Sequence, residues 1–178
     1  MYNYIKSDVY RVYGKADFPT VLYAFFQEAT LRFQIVLRMK QKGTGFWKLA
    51  GKVLWRLNKT KKGIQIAPET QIGYGLYIGH GGPMVVNPTA VIGNNCNLSQ
   101  FLTIGSNHGQ AAVLGDNVYI GPSVCLVEAV HIGDNATIGA GSVVTKDIPE
   151  NATAVGNYAK VIHYKNPGQY IHNPWPLR

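Results

Sequence analysis

Between Ile66 and Val144 an aliphatic residue returns every six positions, and glycine follows most of these residues. The anchors are Ile66, Ile72 and Ile78, then Val86, Ile92, Leu98 and Ile104, then Leu114, Ile120, Leu126, Ile132, Ile138 and Val144. A period of six fits neither a free-standing helix nor an alternating strand. It predicts an all-β core of parallel hexapeptide units, in which each six-residue unit forms one side of a triangular coil. The anchor points into the prism, and the Gly or Asn after it turns the corner, where positive φ is often required.

Two breaks interrupt the rhythm. The step from Ile78 to Val86 holds the extra residues of Ile78-Gly79-His80-Gly81-Gly82-Pro83. The step from Ile104 to Leu114 holds those of Ser106-Asn107-His108-Gly109-Gln110. A regular coil has no spare backbone, so both must bulge outward as loops, where repeat proteins build binding sites. Each carries a histidine. The imidazole of His80, flanked by glycines that let a substrate approach, has the chemistry to take a proton from a hydroxyl and return it to a leaving group.

Upstream of the coil the pattern becomes helical. Phe18 to about Lys42 carries apolar residues at helical spacing, and so does Phe46 to about Asn58 after Gly43-Thr44-Gly45. Polar interruptions exclude a clean transmembrane span, and no small-residue cleavage site suggests a leader peptide. The chain thus divides into a helical segment 1–62, a coil 63–163 and a tail 164–178.

Charge separates these parts further. Of the 17 Lys and Arg, 13 lie in residues 1–62 with three acids, a net +10, whereas residues 63–178 net −2. Two readings of the basic helices stay open. Their apolar stripe packs on the prism or on a neighbouring subunit, or it rests on an anionic membrane, where each Lys or Arg contributes about 1 kcal/mol. Trp47 and Trp55, among Lys48, Lys52 and Arg56, suit the second reading. No nucleic-acid motif accompanies the charge. Cys96 and Cys125 read as reduced packing residues, consistent with a cytoplasmic protein and no disulfide framework. His131 precedes the anchor Ile132 at an outward position and reads as a surface residue, and His163 and His172 lie in the C-terminal tail with no evident partner.

The stretch Ile72-Gly73-Tyr74-Gly75-Leu76-Tyr77-Ile78-Gly79-His80, then Val85-Val86-Asn87-Pro88 and Ala90-Val91-Ile92-Gly93, resembles the hexapeptide O-acetyltransferases of the serine acetyltransferase type. Ile138-Gly139-Ala140-Gly141-Ser142-Val143-Val144 and Ala154-Val155-Gly156-Asn157-Tyr158-Ala159-Lys160 continue the match, which covers about residues 63–163. The resemblance implies a left-handed parallel β-helix, acetyl-coenzyme A as donor, no metal, His80 as general base and a homotrimer with coenzyme A between subunits. By the same likeness Gly121, Ser123, Gly139 and Ala140 would border the pantetheine arm, and Lys160 would sit near the coenzyme phosphates.

Departures from the family shape the expected acceptor. Gln65 stands where the serine enzymes place an Asp that pairs with the base. Gln110 and Ala111 replace the Arg-His pair that holds the amino-acid carboxylate, and the chain ends in Pro176-Leu177-Arg178 in place of the family's partner-docking tail. Losing a charge-assisted bond costs roughly 1.5–3 kcal/mol, which a sugar hydroxyl does not need. The expectation is therefore acetyl transfer to a saccharide in surface polysaccharide synthesis, at the cytoplasmic face of the membrane. Gln65, Asn87, Asn107 and His108 are the candidate acceptor contacts. The alternative is serine O-acetyl transfer in cysteine biosynthesis. A metal-dependent prism resembling the γ-type carbonic anhydrases would need a close His pair that His80, His108 and His131 do not supply. The acceptor hydroxyl and the group that orients His80 stay open.

Overall fold

The structure, a computed structural model, describes residues 1–58 and 63–177. The expected boundary at residue 62 therefore lies outside the described residues. Four helices come first: α1 (Tyr2–Tyr13), α2 (Phe18–Gln27), α3 (Ala29–Lys42) and α4 (Gly45–Asn58).

The coil follows in turns of three short strands. The first turn has β1 (Ile64–Ile66), β2 (Gln71–Ile72) and β3 (Tyr77–Ile78), and the second has β4 (Met84–Val86), β5 (Val91–Ile92) and β6 (Asn97–Leu98). The third has β7 (Thr103–Gly105), β8 (Val113–Leu114) and β9 (Tyr119–Ile120), and the fourth β10 (Cys125–Val127), β11 (His131–Ile132) and β12 (Thr137–Ile138). Strands β13 (Val143–Val144), β14 (Thr153–Val155) and β15 (Lys160–His163) complete it.

Every third strand stacks in parallel, giving a first face β1-β4-β7-β10-β13, a second face β2-β5-β8-β11 and a third face β3-β6-β9-β12-β14. Strand β15 closes the third face antiparallel to β14. All thirteen anchors are buried, none more than 6% exposed. The residue two before each anchor also points inward, as Leu76, Met84, Ala90, Cys96, Leu102, Val118 and Val124 do. Tight stacking demands glycine at the corners: a Cβ on Gly93 would lie 2.3 Å from the carbonyl oxygen of Gly115 in the next turn.

The N-terminal segment departs from the sequence expectation in two ways. A first helix, α1, precedes Phe18, and the expected Phe18–Lys42 helix breaks at Glu28, whose backbone is extended at φ −105°, ψ 106°. Helix α3 is buried over most of its surface and, with α1, covers the open end of the coil. The first turn of a solenoid has no neighbour beneath it, so its backbone groups need other partners. Arg38 supplies them by donating to the carbonyls of Ile72 (3.0 Å) and Gly73 (2.6 Å), and Gln34 by donating to that of Leu76 (2.6 Å). Ser7 and Asp8 accept from the amides of Gly75 and Leu76. The tail runs back down the corner between the second and third faces. There Gly168 donates to Asn135, Asn97 to the carbonyl of Tyr170, and Arg11 to that of His172.

Candidate functional site

The first face is entered and left at two different corners, and each corner carries one bulge. The leading corner joins the third face to the first and holds Gly79 to Pro83. The trailing corner joins the first face to the second and holds Ser106 to Gln110. The two edges lie roughly 15 Å apart, the span of a short strand and its flanks. His80 and His108 are therefore not brought together within one chain.

At the leading corner the amide of Gly81 donates to the carbonyl of Gly79 at 2.7 Å, which makes His80 the centre of a three-residue turn. His80 takes the left-handed conformation, φ 58°, and its side chain is exposed. A non-glycine residue is held there at a cost of about 1–2 kcal/mol. Among the described residues no hydrogen bond to its imidazole is present. Gln65 does not orient it: it sits exposed in the middle of β1, beside Val85, with no hydrogen bond to His80.

Four of the residues implied for coenzyme binding share this edge. The turn after β9 carries Gly121 and Ser123, and the turn after β12 carries Gly139 and Ala140. The corners are tied together as Phe101 donates to Pro83, Ser123 to Gln100 and Gly141 to Pro122. Strands stack about 4.8 Å apart, so this column climbs from His80 past Ser123 to Ala140 over roughly 15 Å. Lys160, paired with Val155 on the last strand, stands exposed at its far end. Gly121 has a structural duty as well, since a Cβ there would meet the amide nitrogen of Ala140 at 2.8 Å.

The trailing corner is organised by a residue that sequence reasoning missed. Glu128 follows β10 in the left-handed conformation, φ 58°. Its carboxylate accepts from the Ser106 hydroxyl (2.7 Å) and from the amides of Asn107 (3.2 Å) and His108 (3.3 Å). The Nδ1 of His108 lies 3.2 Å from it, with the ring 86% exposed. The Ser106 hydroxyl above all, then the Asn107 amide, hold the Glu128 carboxyl below the ordinary glutamate value. An acid placed one turn after a bulge was the available signal.

Asn87 serves this corner too, donating to the Ser106 carbonyl at 3.2 Å and accepting from Thr89. Gln110 donates to the carbonyls of Thr89 and Ala111, and Ala111 is wholly buried.

Between the two corners, the first face forms the wall of an open groove of about 870 Å³, lined by Gln65, Asn87, Thr103, Asn107, Glu128 and the ring of Trp55 among others. Two expectations change here. Cys125 lies on the groove wall while Cys96 alone is core. Trp55 is half-buried 5.5 Å from Phe33, with Lys40 Nζ 5.1 Å from its ring centre, so only Trp47 of the pair is exposed. His131 faces Asp147 at 3.8 Å, and His163 accepts from the amide of Lys165. Among the described residues no cluster of three His, Cys, Asp or Glu is placed to hold a metal, and no helix is long and apolar enough to cross a membrane.

Comparison with known proteins gives this geometry a family. Residues 111–146 match the family Bacterial transferase hexapeptide (six repeats). Serine acetyltransferase of Helicobacter pylori is 35% identical over 115 residues, 62% of this chain and 67% of that protein. Serine acetyltransferase of Synechococcus elongatus is 34% identical over 116 residues, 63% of this chain, which spans about half (48%) of that relative's length. The serine acetyltransferase of Neisseria gonorrhoeae, crystallised with serine, superposes on 89% of this chain and 67% of its own with a TM-score of 0.69 at 28% identity. The soybean enzyme with serine gives 0.66 at 26% identity over 89% of this chain.

These likenesses overturn the saccharide acceptor and the polysaccharide pathway expected from the sequence, because the relatives are serine acetyltransferases. The expectation treated the loss of a cation at positions 110 and 111 as the loss of any carboxylate partner, yet the same bulge keeps His108. The left-handed β-helix with a helical N-terminal region stands. With 35% identity to a serine acetyltransferase over 67% of that protein's length, the chain belongs to the hexapeptide-repeat acetyltransferases of the serine acetyltransferase type.

Proposed function

We propose that this chain transfers acetyl from acetyl-coenzyme A to the hydroxyl of L-serine, with His80 as general base. The observation that carries the reading is the exposed His80 at the foot of the corner column, in a chain that superposes over 89% of its length on a serine acetyltransferase crystallised with serine.

In this reading the coenzyme lies along the leading edge. Gly121, Ser123, Gly139 and Ala140 face its pantetheine arm, Lys160 meets its phosphates, and the thioester reaches His80. The imidazole removes the proton as the serine oxygen attacks the thioester carbonyl. The carbon–sulfur bond then breaks, and the imidazolium returns the proton to the departing thiolate.

The acceptor needs a cation for its carboxylate, and besides His80 the two bulges contain only His108. His108 lies at the opposite edge of the same face, so it reaches His80 only across a subunit boundary. A three-fold assembly sets the leading edge of one chain against the trailing edge of the next. Glu128 fixes the loop that presents His108, and the imidazolium form would pair with the serine carboxylate.

The test is an acceptor comparison. Purified protein with acetyl-coenzyme A should release free thiol only when L-serine is added, with O-acetylserine as product and a solution mass three times that of the chain. Absence of serine-dependent thiol release from folded protein would remove the reading.

A further inference from the structure

Helices α2 and α4 leave an apolar face that the coil does not cover. Along α4, Phe46, Leu49, Val53 and Leu57 form one stripe and are all more than half exposed, and Trp47 beside them is 53% exposed. Along α2, Phe18, Leu22 and Phe26 form a second stripe, with exposures of 67%, 48% and 63%. Between the helices runs a cleft of about 420 Å³ whose lining, including Ile5, Val21, Phe25, Met39, Ala50 and Leu54, is aliphatic or aromatic throughout. A continuous exposed apolar surface of this kind marks a binding face.

Charge identifies what binds. Lys48, Lys52 and Arg56 form an exposed row beside the α4 stripe, at the four-residue spacing of one helix side. No acid occurs between Arg32 and Lys62. Of the three acids before that point, Asp8 is buried against Arg38 and Asp17 caps α2 by accepting from the amide of Thr20. A second copy laid on this face would bring one cationic row towards another with few carboxylates to answer it. An anionic lipid surface supplies both the negative charge and the apolar layer.

We infer that the α2–α4 face docks on an anionic bilayer, with the apolar stripes and cleft in the acyl boundary and Lys48, Lys52 and Arg56 against the headgroups. The inference rests on the helices alone and is independent of the acetyl-transfer reading.

The experiment is co-sedimentation of the full chain with vesicles of phosphatidylcholine, with and without phosphatidylglycerol. The chain should sediment with the anionic vesicles only. Binding should fall at least about tenfold between 0.1 M and 1 M salt, as the Debye length shrinks from about 10 Å to 3 Å. Trp47 emission should shift to the blue on binding. Leu49→Glu combined with Val53→Glu should abolish binding while circular dichroism, melting and serine-dependent thiol release stay unchanged. Lys48→Glu with Lys52→Glu, at exposed positions, gives the same loss without touching the apolar stripe. A chain that stays in the supernatant at 0.1 M salt, or binds neutral vesicles equally, overturns the inference. Vesicle-free self-association that Leu49→Glu abolishes would overturn it too, by assigning the face to a second copy.

Discussion

Arg38 grips Asp8 through two hydrogen bonds, Nε to Oδ2 at 2.8 Å and Nη2 to Oδ1 at 3.0 Å, with both side chains wholly buried. The same guanidinium reaches the carbonyls of Ile72 and Gly73, and Asp8 also accepts from Leu76. One ion pair thus ties α1 and α3 to each other and to the open end of the coil. Asp8→Ala should strand a buried cation and destabilise the chain by about 3–5 kcal/mol. Replacing both partners, Asp8→Leu with Arg38→Met, should cost less than the single change. Denaturant unfolding of the three proteins checks this, and equal losses would contradict it.

The trailing bulge should respond to acid. Its hydrogen bonds hold the Glu128 carboxyl below the ordinary glutamate value, so the anchoring is complete above that value and is lost as pH falls through the depressed folded-state pKa. An NMR titration should therefore find a low midpoint for Glu128, and Ser106→Ala should raise it. An unchanged midpoint in the variant would show that Ser106 is not the main cause.

The two thiols should differ sharply. Burial pushes the Cys96 thiol up to about 12, whereas Cys125 lines the open groove. A thiol reagent at pH 8 should modify Cys125 in native protein and Cys96 only after unfolding. Modification of both in the native state would contradict the packing described.

Gly121→Ala separates coil packing from coenzyme contact. The added Cβ would press on the Ala140 backbone at 2.8 Å, so the variant should lose about 1–3 kcal/mol with no substrate present. A normal melting temperature with impaired coenzyme binding would mean that the neighbouring turn yields and that the glycine serves the ligand alone.

The coil was legible in the sequence because each inward site accepts only an aliphatic side chain and the turn length fixes its period. Ile72, Leu98 and Ile138 could hardly be anything else once stacked. His80 was legible for the opposite reason, as a polar residue in extra backbone that the coil does not need. Helix α1 escaped notice because its inward side mixes Ile5 and Val9 with Ser7, Asp8 and Arg11, whose polar groups find partners on α3, 30 residues away, and on the coil end, 64 or more residues away. The break at Glu28 was hidden since apolar spacing continues on both sides of it. Glu128 joins Ser106 across one turn of the stack, a neighbourhood that emerges only when the strands are in register. The acceptor was misjudged because Gln110 and Ala111 were weighed as the loss of carboxylate binding, and His108 in the same bulge was assigned to sugar hydroxyls.

The central claim is that His80 is the base of serine acetylation, and comparing His80→Ala with the unaltered chain tests it most directly. With acetyl-coenzyme A and L-serine, the unaltered chain should form O-acetylserine. The variant should fold and assemble alike but turn over roughly 10²–10⁴-fold more slowly. Near-normal turnover by folded His80→Ala, or no O-acetylserine from the unaltered chain, would contradict the account.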